Sequence, residues 1–321
     1  MLRVSLRTIT ETELMARVAY LFPGQGSQSV GMLADLSELG TDIQEHLARA
    51  SDVIKVDLTT IVANGPEEKL NKTEITQPAI LATSIGLFSM TRRLGLEMPC
   101  AAAGHSLGEY SALVASGMLN FESAVQLVHE RGKIMQAAVP EGSGAIVVVL
   151  GLNDESVQQV CDSIDETVEI ANFNCPEQVV IAGLTSAVER ASVACMDAGA
   201  WRLVPIPMSV PSHCSLLHGA RKHLEEVLSH LEFQHSNFQI YQNINATVTD
   251  DTEEFKQNLV GQISSSVLWH QSIRAMIDHG INTFVECGPG RVLTGLMRRI
   301  DREVTATALS NRKTFEELIR E

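Results

Sequence analysis

The sequence predicts an α/β fold with a parallel β-sheet at its centre and a second, smaller unit inserted into the chain. Residues 18–22 form a short apolar run that ends in the tight loop Pro23-Gly24-Gln25-Gly26, which is typical of a buried strand. Residues 99–104 form a second short run, built of small residues that suit a tightly packed central strand. Between residues 145 and 206, strand-like and helical stretches alternate in a fixed order.

Helical patterns flank the two short runs. Residues 42–64 have a helical pattern, and residues 76–94 form a long apolar helix with Pro78 near its first turn. Tyr110, Leu113, Val114 and Met118 repeat at helical spacing just after the second run. Further elements are predicted as helices at 121–138, 216–231 and 255–263, and as strands at 238–242 and 282–286.

The inserted unit has the order β-α-β-β-α-β, which is the ferredoxin-like arrangement. Its strands are predicted at 145–150, 168–172, 178–182 and 202–206, and its helices at 154–164 and 186–198. Pro140-Glu141-Gly142-Ser143-Gly144 marks its start. The predicted organisation is therefore an extension at 1–14, a catalytic domain from 15–138 and 211–310, a ferredoxin-like subdomain at 139–210, and a C-terminal tail at 311–321.

Composition excludes several classes of function. The formal charge is −15, from 24 Lys and Arg against 39 Asp and Glu, so neither nucleic acid nor an anionic membrane is an expected partner. Six cysteines are scattered without a Cys-x-x-Cys pair, which favours reduced thiols and the cytoplasm. Residues 1–14 lack the apolar segment of a signal peptide, so we expect a disordered extension or a true start at Met15.

A candidate nucleophile lies between a predicted strand and a predicted helix. Gly104-His105-Ser106-Leu107-Gly108 has the Gly-x-Ser-x-Gly pattern of a nucleophile elbow, which favours an α/β-hydrolase-like core. Flanking glycines permit the tight turn that exposes the serine hydroxyl. The N–H groups at the start of the next helix, that of Leu107 first, are suited to stabilise an oxyanion. The alternative is a turn serine without chemistry.

A serine nucleophile needs a base, and we prefer His213 among ten histidines. It follows Val210-Pro211-Ser212, where the chain returns from the inserted unit. His46, His129, His223 and His230 fall among charged residues on predicted helices, so we expect them at the surface. No acidic residue stands out as a third member, but a backbone carbonyl suffices to orient a neutral imidazole. The alternative for His213 is a loop histidine without a role.

Taken together, these motifs resemble the malonyl-CoA:acyl carrier protein transacylases of bacterial fatty acid synthesis. The resemblance spans about residues 16–300, in the order of that family. The motifs that carry it are Leu-Phe-Pro-Gly-Gln-Gly-Ser-Gln at 21–28, Gly-His-Ser-Leu-Gly-Glu-Tyr at 104–110, Arg-Gly-Lys at 131–133, Ala-Asn-Phe-Asn at 171–174, Pro-Ser-His at 211–213 and Gly-Pro-Gly at 288–290.

The resemblance implies a mechanism and a role for each matching residue. Ser106 would carry malonyl as an ester between malonyl-CoA and the phosphopantetheine thiol of holo acyl carrier protein, and His213 would move the protons. Gln25 and Leu107 would give backbone N–H groups to the oxyanion, and Gln262 would orient His213 through its carbonyl. Arg131 would pair with the malonyl carboxylate, although from the residues alone a helix-surface charge beside Glu130 is the favoured interpretation. The mechanism needs no cofactor and no metal.

Weaker signals leave alternatives open. Asn172 and Asn174 would line the site from the subdomain or would simply cap a turn. Lys133, Arg298, Arg299 and Arg302 would form a basic patch for an acidic carrier protein or a solvated helix face. Two rival functions are a serine hydrolase or thioesterase that passes the acyl group to water, and a catalytically silent module that binds acyl groups or carrier protein.

Overall fold

The computed structural model describes residues 17–140, 142–206 and 210–320. The predicted extension at 1–14 and the alternative start at Met15 lie outside these ranges. The strands are β1 (Val18–Phe22), β2 (Ala101–Gly104), β3 (Gly144–Leu150), β4 (Val168–Cys175), β5 (Gln178–Leu184), β6 (Arg202–Pro205), β7 (Gln239–Tyr241), β8 (Thr283–Glu286) and β9 (Thr305–Ala308).

The helices surround two sheets. They are α1 (Asp42–Ile54), α2 (Leu58–Asn64), α3 (Glu67–Leu70), α4 (Thr73–Arg93), α5 (Gly108–Ala115), α6 (Phe121–Ala138), α7 (Asp154–Asp162), α8 (Thr185–Asp197), α9 (Arg221–Ser229), α10 (Thr252–Gln262), α11 (Trp269–Asp278), α12 (Val292–Ile300) and α13 (Arg312–Arg320). Short 3-10 helices occupy Ala34–Leu39 and Ser215–Ala220. Within the described ranges, no helix combines the length and apolar character needed to cross a membrane.

The larger sheet is parallel and has the order β7-β2-β1-β8-β9. Strand β2 reads Ala-Ala-Ala-Gly and is buried along its whole length, because β1 and β7 flank it and helices cover its faces. In the register of β1 and β2, Phe22 lies opposite Gly104. The loops that follow these two strands therefore leave the sheet side by side, as ligand-binding loops do in α/β sheets. The predicted α/β fold with a parallel central sheet is confirmed.

The smaller sheet is antiparallel, with the order β4-β5-β3-β6. Helices α7 and α8 pack on it, and its own apolar core includes Val149, Ile181 and Ala191. This is the ferredoxin-like arrangement expected from the order of elements. The boundaries of the catalytic domain and the subdomain stay a prediction. Within the range predicted as a C-terminal tail, α13 packs on the 3-10 helix Ala34–Leu39 and buries Phe315.

Helix α4 runs through the core and begins three residues before its predicted start. Pro78 lies inside it and has no N–H, so the carbonyl of Glu74 lacks its intrahelical donor. The Nδ1 atom of His129 lies 2.8 Å from that oxygen and donates to it. His129 is 6% exposed. Our expectation of His129 as a surface group is therefore wrong, because its ring supplies the donor to the Glu74 carbonyl that Pro78 lacks.

Other sequence expectations are corrected in detail. The predicted helix at 42–64 is two helices, because Lys55 takes a left-handed conformation with φ of 57° and Asp57 caps α2. The predicted helix at 216–231 begins as the 3-10 turn Ser215–Ala220. Strand β9 and helix α11 are elements that the sequence analysis did not identify.

Candidate active site

Ser106 lies in the turn between β2 and α5, with a positive φ of 52°. Glycine is required on both sides of it. A Cβ atom on Gly104 would lie 1.9 Å from the carbonyl carbon of Gly108, and a Cβ on Gly108 would lie 2.0 Å from the carbonyl oxygen of Phe22. The turn is therefore too tight for any other residue at either position. It holds Ser106 partly exposed at the carboxyl end of the central strand, as expected of a nucleophile elbow.

The structure brings His213 to Ser106, 107 residues away in the chain. The Oγ atom of Ser106 lies 2.6 Å from Nε2 of His213. On the other side of the ring, Nδ1 donates to the backbone carbonyl of Gln262 at 2.7 Å. This bond fixes the proton on Nδ1 and leaves Nε2 as the acceptor for the serine hydroxyl.

Burial keeps His213 neutral. Desolvation, assisted by the nearby positive charge of Arg131, lowers the pKa of His213 to about 3. At neutral pH the imidazole is therefore a free base. Its backbone also has a positive φ, 62°, so both members of the pair occupy the left-handed region that non-glycine residues rarely adopt.

Arg131 reaches the same point from helix α6. It is 1% exposed, which contradicts the interpretation as a helix-surface charge. Its Nη2 atom lies 3.5 Å from Oγ of Ser106 and 3.1 Å from Oε1 of Gln262, and Nη1 donates to Oε1 of Gln77 at 2.9 Å. Its Nε–H has no partner in the described structure, and the ring of Tyr110 lies under the guanidinium at 5.2 Å. A buried cation without a contacting carboxylate is well prepared for an anionic ligand.

The two expected oxyanion donors lie on adjacent loops. Gly24 is so close to the elbow that a Cβ there would meet the carbonyl oxygen of His105 at 2.3 Å, which places the next residue, Gln25, beside the turn. Among the described residues, the backbone N–H groups of Gln25 and Leu107 have no hydrogen-bond partner. The Gln25 side chain donates to Oγ1 of Thr73 at 3.1 Å and so anchors the loop to α4.

Asn172 and Asn174 line a cleft beside the elbow, with a volume of about 570 Å³. Both belong to β4, so they are not caps of a turn. Asn174 accepts from Nε2 of His105 at 2.9 Å, while Oδ1 of Asn172 is buried without a partner in the described ranges. The opposite wall of the cleft is the loop that contains Gln25, and Val180 and Leu293 add apolar surface.

Sequence reasoning missed two side chains that hold the site together. Asn243 accepts from the backbone N–H of Ser106 at 2.7 Å and donates to the carbonyl of Gly104 at 2.7 Å. Glu109 is 1% exposed and accepts from Gln262 and from the backbone of Asn243. A carboxylate in the otherwise apolar turn after the elbow was a signal in the sequence, whereas nothing local distinguishes Asn243.

The expected basic patch is only partly assembled. Arg298, Arg299 and Arg302 are exposed and line one groove at the end of α12, and Arg299 donates to Gln178 at the rim of the cleft. Lys133 lies on α6 and pairs with Glu130 instead. Among the described residues, no group of three or more His, Cys, Asp and Glu side chains is arranged to hold a metal ion.

This site, on this fold, defines an acyl transferase: the family described as "Acyl transferase domain" matches residues 19–312. A malonyl CoA-acyl carrier protein transacylase of Salmonella typhimurium is 45% identical over 298 residues, which cover 92% of this chain and 96% of that protein. The chain belongs to the family of malonyl CoA-acyl carrier protein transacylases.

Solved structures agree with that placement. An acyl carrier protein S-malonyltransferase from Vibrio cholerae superposes with a TM-score of 0.91 at 44% identity, covering 94% of this chain and 100% of the other. A malonyl-transacylase solved in complex with a type II polyketide synthase acyl-carrier protein gives a TM-score of 0.93 at 43% identity, covering 95% of this chain and 99% of that chain.

Proposed function

We propose that this protein transfers the malonyl group from malonyl-CoA to the phosphopantetheine thiol of holo acyl carrier protein, through an ester on Ser106. The observation that carries the proposal is the position of Arg131. Its guanidinium is buried beside the Ser106–His213 pair and lacks a contacting carboxylate among the described residues. The choice of malonyl as the acyl group and of acyl carrier protein as the acceptor is supported by the names of the relatives.

In the first half-reaction, Oγ of Ser106 attacks the thioester carbonyl carbon while Nε2 of His213 takes the hydroxyl proton. The neutral imidazole is ready for this role, because burial keeps the pKa of His213 low and its Nδ1 proton is held by Gln262. The C–S bond then breaks, and the proton on His213 passes to the leaving sulfur. Coenzyme A departs as its thiol and malonyl remains on Ser106.

The tetrahedral intermediate has an oxygen that carries a full negative charge. The backbone N–H groups of Gln25 and Leu107 donate to this oxygen in the proposed mechanism. Their support is that both are free of partners in the described structure and that their loops touch at Gly24 and His105. Removal of one such donor costs other enzymes about 3–4 kcal/mol of transition-state stabilisation.

Arg131 binds the free carboxylate of malonyl in this proposal. A guanidinium can hold a carboxylate through two parallel hydrogen bonds, and such a pair is selective for geometry as well as charge. Acetyl lacks this carboxylate and would leave the buried cation unpaired. Asn172 and Asn174 line the cleft through which the substrate arm reaches Ser106, with Asn172 offering an oxygen that has no partner in the described residues.

In the second half-reaction the pantetheine thiol takes the place of coenzyme A. His213 accepts the thiol proton, the sulfur attacks the ester carbon, and Oγ of Ser106 recovers the proton as it leaves. The groove lined by Arg298, Arg299 and Arg302 opens beside the cleft and gives an acidic carrier protein a positive surface on a chain of net charge −15. No cofactor takes part. We also propose a cytoplasmic location, which six free cysteines support.

Intact-protein mass measurement after incubation with malonyl-CoA tests the proposal. Wild-type protein should gain one malonyl group and lose it when holo acyl carrier protein is added. Ser106→Ala should gain nothing, whereas Ser111→Ala, which removes a buried hydroxyl that has no partner in the described structure, should behave as wild type. Malonyl recovered as free malonate in the presence of carrier protein would instead support a hydrolase. A gain of malonyl by the Ser106→Ala variant would show that Ser106 is not the nucleophile.

A further inference from the structure

Glu109 is a buried acid that the mechanism above does not use. It lies on the first turn of α5, directly after the elbow, and is 1% exposed. Its Oε2 atom accepts from Nε2 of Gln262 at 2.8 Å and from the backbone N–H of Asn243 at 3.1 Å. A carboxyl group is costly to bury, so its retention beside a reactive serine needs a reason.

Both partners of Glu109 touch the reacting residues. Gln262 donates to the backbone carbonyl of Ser106 at 3.1 Å and accepts from Nη2 of Arg131 at 3.1 Å. Asn243 accepts from the backbone N–H of Ser106 at 2.7 Å. Glu109 is therefore one hydrogen bond removed from the backbone of the nucleophile and from the guanidinium beside it.

An ionised carboxylate decides which end of an amide faces it. It can only accept hydrogen bonds, so Gln262 must turn its NH₂ group toward Glu109. The oxygen of the same amide then faces Arg131, which can only donate. The carbonyl of Ser106 accepts from the same NH₂ group at the longer distance of 3.1 Å, so loss of the carboxylate would remove the shorter of the two bonds that orient the amide. A flipped Gln262 amide would present its NH₂ group to the guanidinium, and Arg131 would lose an acceptor close to Ser106.

Charge supports the same arrangement. Among the described residues, Arg131 is the charged side chain whose electrostatic effect reaches the Glu109 carboxyl, and its positive charge lowers the pKa of Glu109. Burial acts in the opposite direction and is stronger, so the pKa of Glu109 is raised to about 7. The neighbouring titratable groups do not change charge near that pH, because the pKa of His213 is about 3 and that of Tyr110 is about 12.

We propose that Glu109 is a positioning residue that sets the orientation of the Gln262 amide and thereby holds Arg131 in place for the malonyl carboxylate. The inference rests on the proposed function, since it concerns how the same site prefers malonyl. It predicts an effect on the choice of acyl group, which loss of stability alone would not produce.

The test compares malonyl-CoA with acetyl-CoA as donors for acylation of Ser106, using Glu109→Gln. This variant keeps the size of the side chain and removes its charge. The ratio of kcat/KM for malonyl-CoA to that for acetyl-CoA should fall about tenfold, the effect of one hydrogen bond to a charged group. Ser111→Ala, on the same helix, should keep the wild-type ratio. An unchanged ratio in Glu109→Gln, with wild type still loading malonyl, would overturn the inference alone.

A second measurement needs only wild-type protein, so it holds even if the variant does not fold. Glu109 is protonated below about pH 7 and ionised above it. The malonyl-to-acetyl ratio should therefore fall as the pH is lowered from about 8.5 to about 5.5, a range over which His213 stays neutral. Effects on His213 cancel, because both donors depend on it equally. A flat ratio over this range would overturn the inference. Failure of wild type to load malonyl at any pH would instead overturn the proposed function.

The route through Gln262 has its own test. If Glu109 acts through this amide, Glu109→Gln should not change the malonyl-to-acetyl ratio further once Gln262 is replaced by Ala. The Ala variant already lacks the amide that connects Glu109 to Arg131. Independent effects that multiply in the double variant would show that Glu109 does not act through Gln262.

Discussion

The two walls of the active-site cleft are built in different ways. On the elbow side, His105 and the loop that contains Gln25 line the cleft, and His105 lies on the short segment from Gly104 to Gly108, which is packed against the central sheet without spare room. On the subdomain side, Asn172 and Asn174 come from a strand of the antiparallel sheet, and one of their oxygens is buried without a partner in the described structure. The elbow wall is fixed by its own backbone, whereas the subdomain wall depends on contacts between distant segments.

Substitutions should therefore have different effects in the two walls. Changes to the elbow should act on folding itself, since backbone atoms cannot move away from an added group. Changes to side chains that converge on Ser106 should act on the choice of substrate. Changes to the subdomain wall should act weakly, because each contact there is a single hydrogen bond.

The largest expected effect is that of Gly108→Ala. The added methyl group would lie 2.0 Å from the carbonyl oxygen of Phe22, so β1 or α5 must shift. We expect a loss of about 4 kcal/mol or more in the free energy of unfolding, beyond the usual range for point variants. Chemical denaturation measures it. Gly295→Ala is the matched control, since open space surrounds Gly295 in α12 and alanine there should be neutral or stabilising. Similar stability of the two variants would contradict the tight elbow.

Arg131→Ala should have the next largest effect, and on selectivity. Loss of the guanidinium removes the proposed partner of the malonyl carboxylate, so the malonyl-to-acetyl ratio of kcat/KM should fall about 100-fold, as expected for a charged pair worth about 3 kcal/mol. Acylation of Ser106 by each donor provides the measurement. Lys133→Ala removes an exposed cation from the same helix and should leave the ratio unchanged. An unaltered ratio in Arg131→Ala would exclude Arg131 from carboxylate binding.

Asn174→Ala should have a small effect that measures the link between the two walls. It removes the acceptor for His105 at 2.9 Å, so we expect a loss of about 1 kcal/mol in the free energy of unfolding and about a fivefold fall in kcat/KM. Asn172→Ala serves for comparison, because it removes an oxygen without a partner in the described structure and should not destabilise the fold. If both variants lose stability equally, the His105–Asn174 bond does not couple the walls.

The smallest expected effect is that of pH on the base. The pKa of His213 is lowered to about 3, so the imidazole is neutral above that value and gains a proton only as the pH falls toward it. With acetyl-CoA as donor, which makes no use of Arg131, kcat/KM for acylation should change less than about twofold between pH 8 and pH 5. An acid limb centred near 6.5 would show that His213 is not held neutral by burial.

The sequence predicted the elbow wall better than the rest of the site. The pattern Gly104 to Gly108 is local, and its glycines have a backbone reason that can be argued without a structure. His213 was preferred because proline precedes it where the chain returns to the main sheet, and its Nε2 lies 2.6 Å from Oγ of Ser106, whereas its role as the base stays a prediction. The burial of Arg131 was not predictable from its neighbours Glu130 and Lys133, which form an ion pair with each other at the helix surface. Only the resemblance to a family indicated a role for it.

The remaining residues depend on long-range packing. Asn243 and Gln262 reach the elbow from segments more than 130 residues away, so no local spacing predicts them. The burial of His129 follows from Pro78 on another helix, a pairing that becomes visible only when α4 and α6 are side by side. These are cases in which tertiary contacts outweigh the local pattern of charges.

The left-handed backbone at both Ser106 and His213 means that reactivity and folding make opposed demands on this chain. Non-glycine residues in sparsely populated backbone regions each carry a strain of about 1–3 kcal/mol, which the surrounding packing must offset. A relative that had lost its activity would be released from that strain by glycine at either position. Glycine at these two positions would therefore identify a relative that keeps the fold and has lost the activity.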